Sequence, residues 1–177
     1  MSLIERYGMG EEERRRRQSF LTISTADSAP LHRLREVFAR YATTFAERFY
    51  QHLLSDPGTA QFLQDPQQLE RLKKLQAAYF AELLEGVFDE AYFEGRLRVG
   101  LAHQQLGIVP AWYLGAYNQY IQLTFPLFVR AFGDNLEQAL PSLLSLVKVI
   151  FLDIGLALDT YFEEATRSEE PRLNSSH

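Results

Sequence analysis

Few side chains in this chain are of types that do chemistry. Its 177 residues include 4 histidines and no cysteine. That removes thiolate zinc sites, iron–sulfur clusters, disulfides and a cysteine nucleophile together. The patterns GxSxG, GxxxxGK[ST], HExxH and GxGxxG are all absent, so there is no nucleophile elbow, phosphate loop, paired-histidine zinc helix or dinucleotide fingerprint. The acidic residues fall at helix positions that face water, and no carboxylate pair for acid–base work stands out. Any metal must hang on His, Asp, Glu or Tyr.

The histidines divide by their surroundings. His177 lies in the tail, and His32 and His52 stand among charged neighbours and read as surface residues. His103 differs, because it shares a helical stripe with Val99 and Leu106, with Gly100 one turn before it and Gly107 one turn after. The two glycines suggest a thin wall through which a flat, bulky group reaches the imidazole. Spacing alone favours a satisfied core histidine over a ligand. As a ligand, one His makes a poor zinc site, which needs about three protein ligands or more. It is sufficient for haem, since the porphyrin supplies four nitrogens and the protein need give only an axial imidazole and an apolar slot. The 13% aromatic content suits such a slot and equally suits a plain core.

The elements that position His103 read as helices throughout, and no strand pattern competes. Glu11, Glu12 and Glu13 precede Arg15, Arg16 and Arg17 by four residues, the spacing of ion pairs along a solvated helix face rather than of a phosphate-binding patch. This charged helix fills residues 1–20. One long helix is expected over residues 30–55, where Leu34, Phe38, Tyr41, Phe45, Phe49 and Leu53 recur at three- and four-residue steps. A short piece at 60–63 follows. Asp65-Pro66 then reads as the N-cap and first-turn proline of a helix reaching about residue 86, with Leu69, Leu72, Gln76, Phe80 and Leu83 as its inner stripe. A helix over 90–106 carries His103, and Gly107-Ile108-Val109-Pro110 breaks the backbone. Two long helices end the pattern, over 110–132 and 135–166, with kinks or shifted starts expected at Pro126 and Pro141. Residues 168–177 lack periodicity and read as a disordered tail.

Length and charge bound the rest. One domain of 20.4 kDa with a net charge of −5 has no broad basic footprint, which disfavours nucleic acid and anionic membranes as partners. No uninterrupted apolar run reaches the ~18–20 residues of a membrane span, and the first 21 residues are charged rather than signal-like. A cytoplasmic protein is expected. The last helix is apolar almost all round between Leu140 and Leu158, so it needs cover from its own domain and from a second subunit. A homodimer through the last two helices follows.

The passage Val99-Gly100-Leu101-Ala102-His103-Gln104-Gln105-Leu106-Gly107-Ile108-Val109-Pro110-Ala111-Trp112-Tyr113-Leu114-Gly115-Ala116-Tyr117 resembles the pattern VGxxHxxIGIxPxWYxxAY of globin-coupled sensors and protoglobins. A second match, Phe49-Tyr50-x-x-Leu53-Leu54-x-Asp56-Pro57, looks like the end of that family's distal helix, and the helix order agrees over about residues 21–166. The resemblance implies an all-α, globin-like helical sandwich around a haem pocket, with haem b (iron protoporphyrin IX) as cofactor. It implies that His103 is the proximal iron ligand and that Tyr50 points its hydroxyl at a bound O₂, with Phe49 and Val99 beside them in the pocket. On the family's layout Leu72 and Gln76 border the gas ligand; the alternative for Gln76 is an amide turned to solvent beside Lys73. Tyr113 corresponds to a tyrosine that orients the proximal imidazole, relays strain into the next helix, or packs in the core.

The function implied is a haem-based gas sensor domain for O₂, with CO and NO as further ligands. It would regulate a diguanylate cyclase, histidine kinase or chemotaxis transducer placed after the last helix, so the chain itself is not expected to be an enzyme. The tail would then begin the linker. A stand-alone protoglobin and a haem-free helical dimerisation module are the alternatives.

Overall fold

The computed structural model describes residues 1–173, with side chains through residue 167. Among the described residues the secondary structure is entirely helical. The elements are α1 (Leu3–Arg6), α2 (Glu11–Phe20), a 3₁₀ turn (Thr25–Asp27), α3 (Ser28–Phe38), α4 (Ala42–Ser55), α5 (Pro57–Ala60), α6 (Pro66–Leu83), α7 (Glu90–Gln105), α8 (Pro110–Phe132) and α9 (Leu136–Leu173). His177 lies outside the described residues.

Capping side chains set most of the boundaries. Asp56, Asp65 and Asp89 accept hydrogen bonds from the first-turn amides of α5, α6 and α7, and Pro57, Pro66 and Pro110 open α5, α6 and α8, where the missing N–H costs nothing. Gly107, with φ +77°, takes the left-handed conformation that ends α7.

Four expectations need correction. The charged N-terminal helix is two helices, parted at Gly8 with φ +64°. The long helix over 30–55 is likewise two, because the chain turns at Tyr41 (φ −120°, ψ 2°). The aromatic stripe hides this turn by continuing across it, with the rings of Phe38 and Phe45 meeting edge to face at 5.1 Å. Pro126 and Pro141 lie inside α8 and α9, so no helix start is shifted to either. Finally, α9 continues through Leu173, past the expected end at 166, with Arg167 and Glu163 paired at i,i+4.

The arginine run is a paired helix face. Arg15 pairs with Glu11, Arg16 and Arg17 pair with Glu13 at 2.8 Å, and Arg17 also reaches Asp159 of α9 at 2.5 Å.

α9 is the central element, packed against α3, α7 and α8, while α4 lies on α6 and α8. Its inner face buries Leu146, Val149, Ile150, Leu152, Leu156 and Ala157. By length and composition α9 is apolar enough to cross a membrane, which a search for uninterrupted runs overlooks, and half of that window is buried within the chain. Leu140, Leu144, Phe151 and Phe162 remain exposed, with Val147, Ile154 and Leu158 partly so. These residues form one stripe at three- and four-residue steps.

Candidate functional site

His103 sits in the last turn of α7, on the half of that helix the core does not seal. Tyr92, Phe93, Arg96, Leu97 and Gly100 are buried, whereas Val99 and His103 are only partly covered and Leu106 is exposed. The imidazole Nδ1 lies 2.8 Å from the carbonyl oxygen of Val99. A carbonyl can only accept, so Nδ1 carries the proton and the lone pair of the neutral ring is on Nε2. Burial lowers the His103 pKa below the ordinary value, against the opposing pull of the Val99 bond, and this keeps the ring neutral. Nε2 has no hydrogen-bond partner among the described residues and is not sealed off. A neutral, oriented imidazole with a free lone pair is what a metal ligand needs.

The glycines beside His103 do not thin its wall. A Cβ on Gly100 would meet Thr160 Oγ1 at 2.9 Å and the Ala157 Cα at 3.1 Å, so Gly100 lets α7 approach α9 closely. Gly107 serves the helix end.

Tyr113 touches the His103 ring edge to face, centroids 4.9 Å apart. It does not orient the ring by a hydrogen bond, a task that falls to Val99. From Tyr113 a series of ring contacts runs inward to Tyr117 at 5.5 Å, Tyr120 at 5.2 Å, Phe49 at 5.3 Å and Tyr50 at 5.3 Å. Phe49 is a core residue, held by Phe45 and Tyr120 as well as by Tyr50.

Tyr50 is buried on α4, and desolvation, with nothing opposing it, pushes its phenol up to about 12. Its hydroxyl has no partner among the described residues and, like Nε2 of His103, is not closed off. The expected donor residue therefore carries a protonated hydroxyl with nothing to donate to.

Gln76 lies on α6, partly buried. Its amide turns inward and donates to the Tyr120 hydroxyl, so it does not turn to solvent beside Lys73. Leu72 is partly buried one turn away and packs against the core. Among the helices carrying these residues, α6 lies along α4 and α7 along α9, but α6 and α7 are not packed along their lengths. They meet where Arg96 donates to the Tyr79 carbonyl at 2.9 Å, two turns before His103. Trp112 closes the outer end against Gly58, where a Cβ would come within 3.0 Å of the indole.

Haem fits this donor set. Among the described residues no group of three or more His, Asp or Glu could hold a bare metal ion, and a macrocycle that brings its own four nitrogens does not require one. Two polar atoms, His103 Nε2 and the Tyr50 hydroxyl, have no partner among the described residues. His32 and His52 are surface side chains, the former beside Glu36 at 3.7 Å.

Sequence reasoning missed a buried polar cluster. Arg96 lies 3.4 Å from Asp153, which accepts hydrogen bonds from Tyr92 at 2.5 Å and Tyr117 at 3.4 Å. A lone carboxylate within the apolar stretch of α9 was the signal available.

Residues 10–167 match the Protoglobin family. The chain is 31% identical over 183 residues to the heme-based aerotactic transducer HemAT of Halobacterium salinarum, a match covering 98% of this chain and 37% of that protein. The chain thus spans little more than a third of the length of this curated relative. Among solved structures, the globin domain of a Geobacter sulfurreducens globin-coupled sensor superposes with a TM-score of 0.78 at 23% identity, covering 83% of this chain and 96% of that one. The ferrous globin domain of E. coli DosC gives 0.65 at 19% identity, covering 82% and 97%. These likenesses establish a globin-like fold, as expected from the sequence.

Proposed function

The chain belongs to the protoglobin family, and from that premise we propose that it is a haem-binding gas-sensor domain, with O₂ as its ligand and CO and NO as alternatives. The cofactor is haem b, held by His103 alone, and its iron supplies a reversible binding position for a diatomic gas. His103 would hold the iron through Nε2, its ring fixed in tautomer and direction by the Val99 carbonyl. Tyr50 would offer its hydroxyl proton to the gas, and burial keeps that proton in place. Leu72, Val99 and the ring of Tyr113 supply apolar walls that exclude water. Gln76, tied to Tyr120, contributes a fixed amide on the α6 side. The relative from Halobacterium salinarum is an aerotactic transducer and is much longer, which supports regulation of an output domain after α9. The exposed stripe on α9, from Leu140 to Phe162, supports a homodimer formed through α8 and α9. A cytoplasmic location belongs to the same reading.

One observation carries the proposal: a neutral histidine oriented through Nδ1 whose Nε2 faces no protein partner. Titration of the purified protein with haemin tests it. One equivalent per chain is expected to give a Soret band of a histidine-ligated haem. No saturable band would leave the haem-free dimerisation module as the reading.

A further inference from the structure

Arg96 and Asp153 have no part in the proposed gas site, yet they are among the most thoroughly buried charges in the molecule, 2% and 1% exposed. The Arg96 guanidinium lies over the rings of Tyr79 at 3.6 Å and Tyr92 at 4.7 Å, and Nη2 donates to the Tyr79 carbonyl. Nη1 lies 3.4 Å from Asp153 Oδ2. Asp153 Oδ1 accepts from Tyr92, and Oδ2 accepts from Tyr117. One carboxylate on α9 thus joins two residues of α7 and one of α8. Apolar residues of similar volume would hold such a place at least as stably, so stability alone does not account for a charged pair here.

The position of the pair suggests its use. Arg96 stands two turns before His103 on one rigid helix. Tyr117 touches Tyr113, whose ring abuts the His103 imidazole. Asp153 is therefore reached from the proximal histidine by two routes, one along the α7 backbone and one through side chains of α8. The Tyr117 bond stands at 3.4 Å, near the outer limit of hydrogen-bond range, and Arg96 Nη1 faces Oδ2 at 3.4 Å without a hydrogen bond to it, so small displacements tighten or release both contacts. The close seat of α7 on α9 at Gly100 leaves no slack between the helices.

Resting on the haem-sensor reading, we infer that Asp153 is the positioning residue through which α9 registers movement of the helix carrying His103. Arg96 and Tyr117 deliver that movement. A change in the pull on His103 would reach Asp153 along these contacts and be converted there into a change in α9.

Hydrogen exchange of the ferrous, haem-loaded protein with and without CO tests this. Wild type is expected to show a CO-dependent difference in exchange both near His103 and across the α9 segment around Asp153. In Asp153→Asn the α9 difference is expected to be lost while the one near His103 persists. Tyr117→Phe removes only a hydroxyl and is expected to weaken the α9 difference; it decides the matter if the Asp153 variant does not fold. The difference between ligand states is the readout, since a purely structural role would shift absolute protection in both states alike. A wild type without a Soret band would overturn the haem reading itself. A haem-loaded wild type with no CO response in α9, or variants that keep the full response, would overturn the inference and leave the haem reading standing.

Discussion

Replacing Tyr50 by Phe deletes one hydroxyl and almost no volume, and the structure specifies what that hydroxyl does beforehand. It has no hydrogen-bond partner among the described residues, so the unliganded protein loses nothing and stability is expected to stay within about 0.5 kcal/mol. With O₂ bound, the phenol meets an acceptor that has gained negative charge. A hydrogen bond to a charged group nets about 1.5–3 kcal/mol, and at 1.4 kcal/mol per factor of ten this makes O₂ dissociation about 10- to 150-fold faster in the variant. CO gains less charge and its dissociation is expected to change far less. Burial pushes the Tyr50 phenol up to about 12, so the donor stays protonated and its contribution is flat across neutral pH. Stopped-flow displacement of O₂ measures the rate, and denaturation of the apo form measures the stability. Equal O₂ dissociation rates in the two proteins would refute the role. An apo protein weakened by more than about 1 kcal/mol would show that the hydroxyl is structural instead.

Gly100→Ala is expected to destabilise the apo protein by up to about 2 kcal/mol, since clashes with Thr160 and the Ala157 backbone outweigh the gain in helix propensity; a higher denaturation midpoint would contradict the close α7–α9 seat. Arg96→Met leaves the Asp153 carboxylate buried without its cation and is expected to cost about 3–5 kcal/mol, most of it restored in the Arg96→Met/Asp153→Leu pair, with urea unfolding as the check. Because burial depresses the His103 pKa below 6.5, the unfolded chain binds the proton more readily. The resulting stability is present in full above pH 6.5 and is lost as pH falls through the folded value. A pH series of apo unfolding is expected to show this slope in wild type and not in His103→Ala. Leu144→Glu with Phe151→Glu places charge on the exposed α9 stripe and is expected to turn a dimer into a monomer by sedimentation; an unchanged mass would move the interface elsewhere.

Helix order was legible in the sequence because prolines, an aspartate cap and Gly107 mark the ends of α6, α7 and α8 chemically, whereas the short piece expected at 60–63 is α5 at Pro57–Ala60, opened by Asp56 and Pro57. The turn at Tyr41 was not, since Phe38 and Phe45 keep the helical spacing across it and periodicity does not register a change of direction. His103 and Tyr50 were singled out through the resemblance of their motifs, and the structure leaves one lone pair and one hydroxyl without a partner among the described residues. Other features depend on which residues face each other across helices. Gly100 was placed beside the imidazole when its neighbours are Thr160 and Ala157. Gln76 had two settings open to it on its own helix, and Tyr120, 44 residues away, determines which way it turns. Arg96 and Asp153 lie on separate helices, so no local pattern joins them.

The central claim is that His103 holds the haem, and the absorbance spectrum of His103→Ala tests it most directly. The variant, titrated with haemin beside wild type, is expected to lose the histidine-ligated Soret band and to regain one only when imidazole is added to fill the vacated position. An unchanged histidine-ligated spectrum at one haem per chain in the variant would contradict the account.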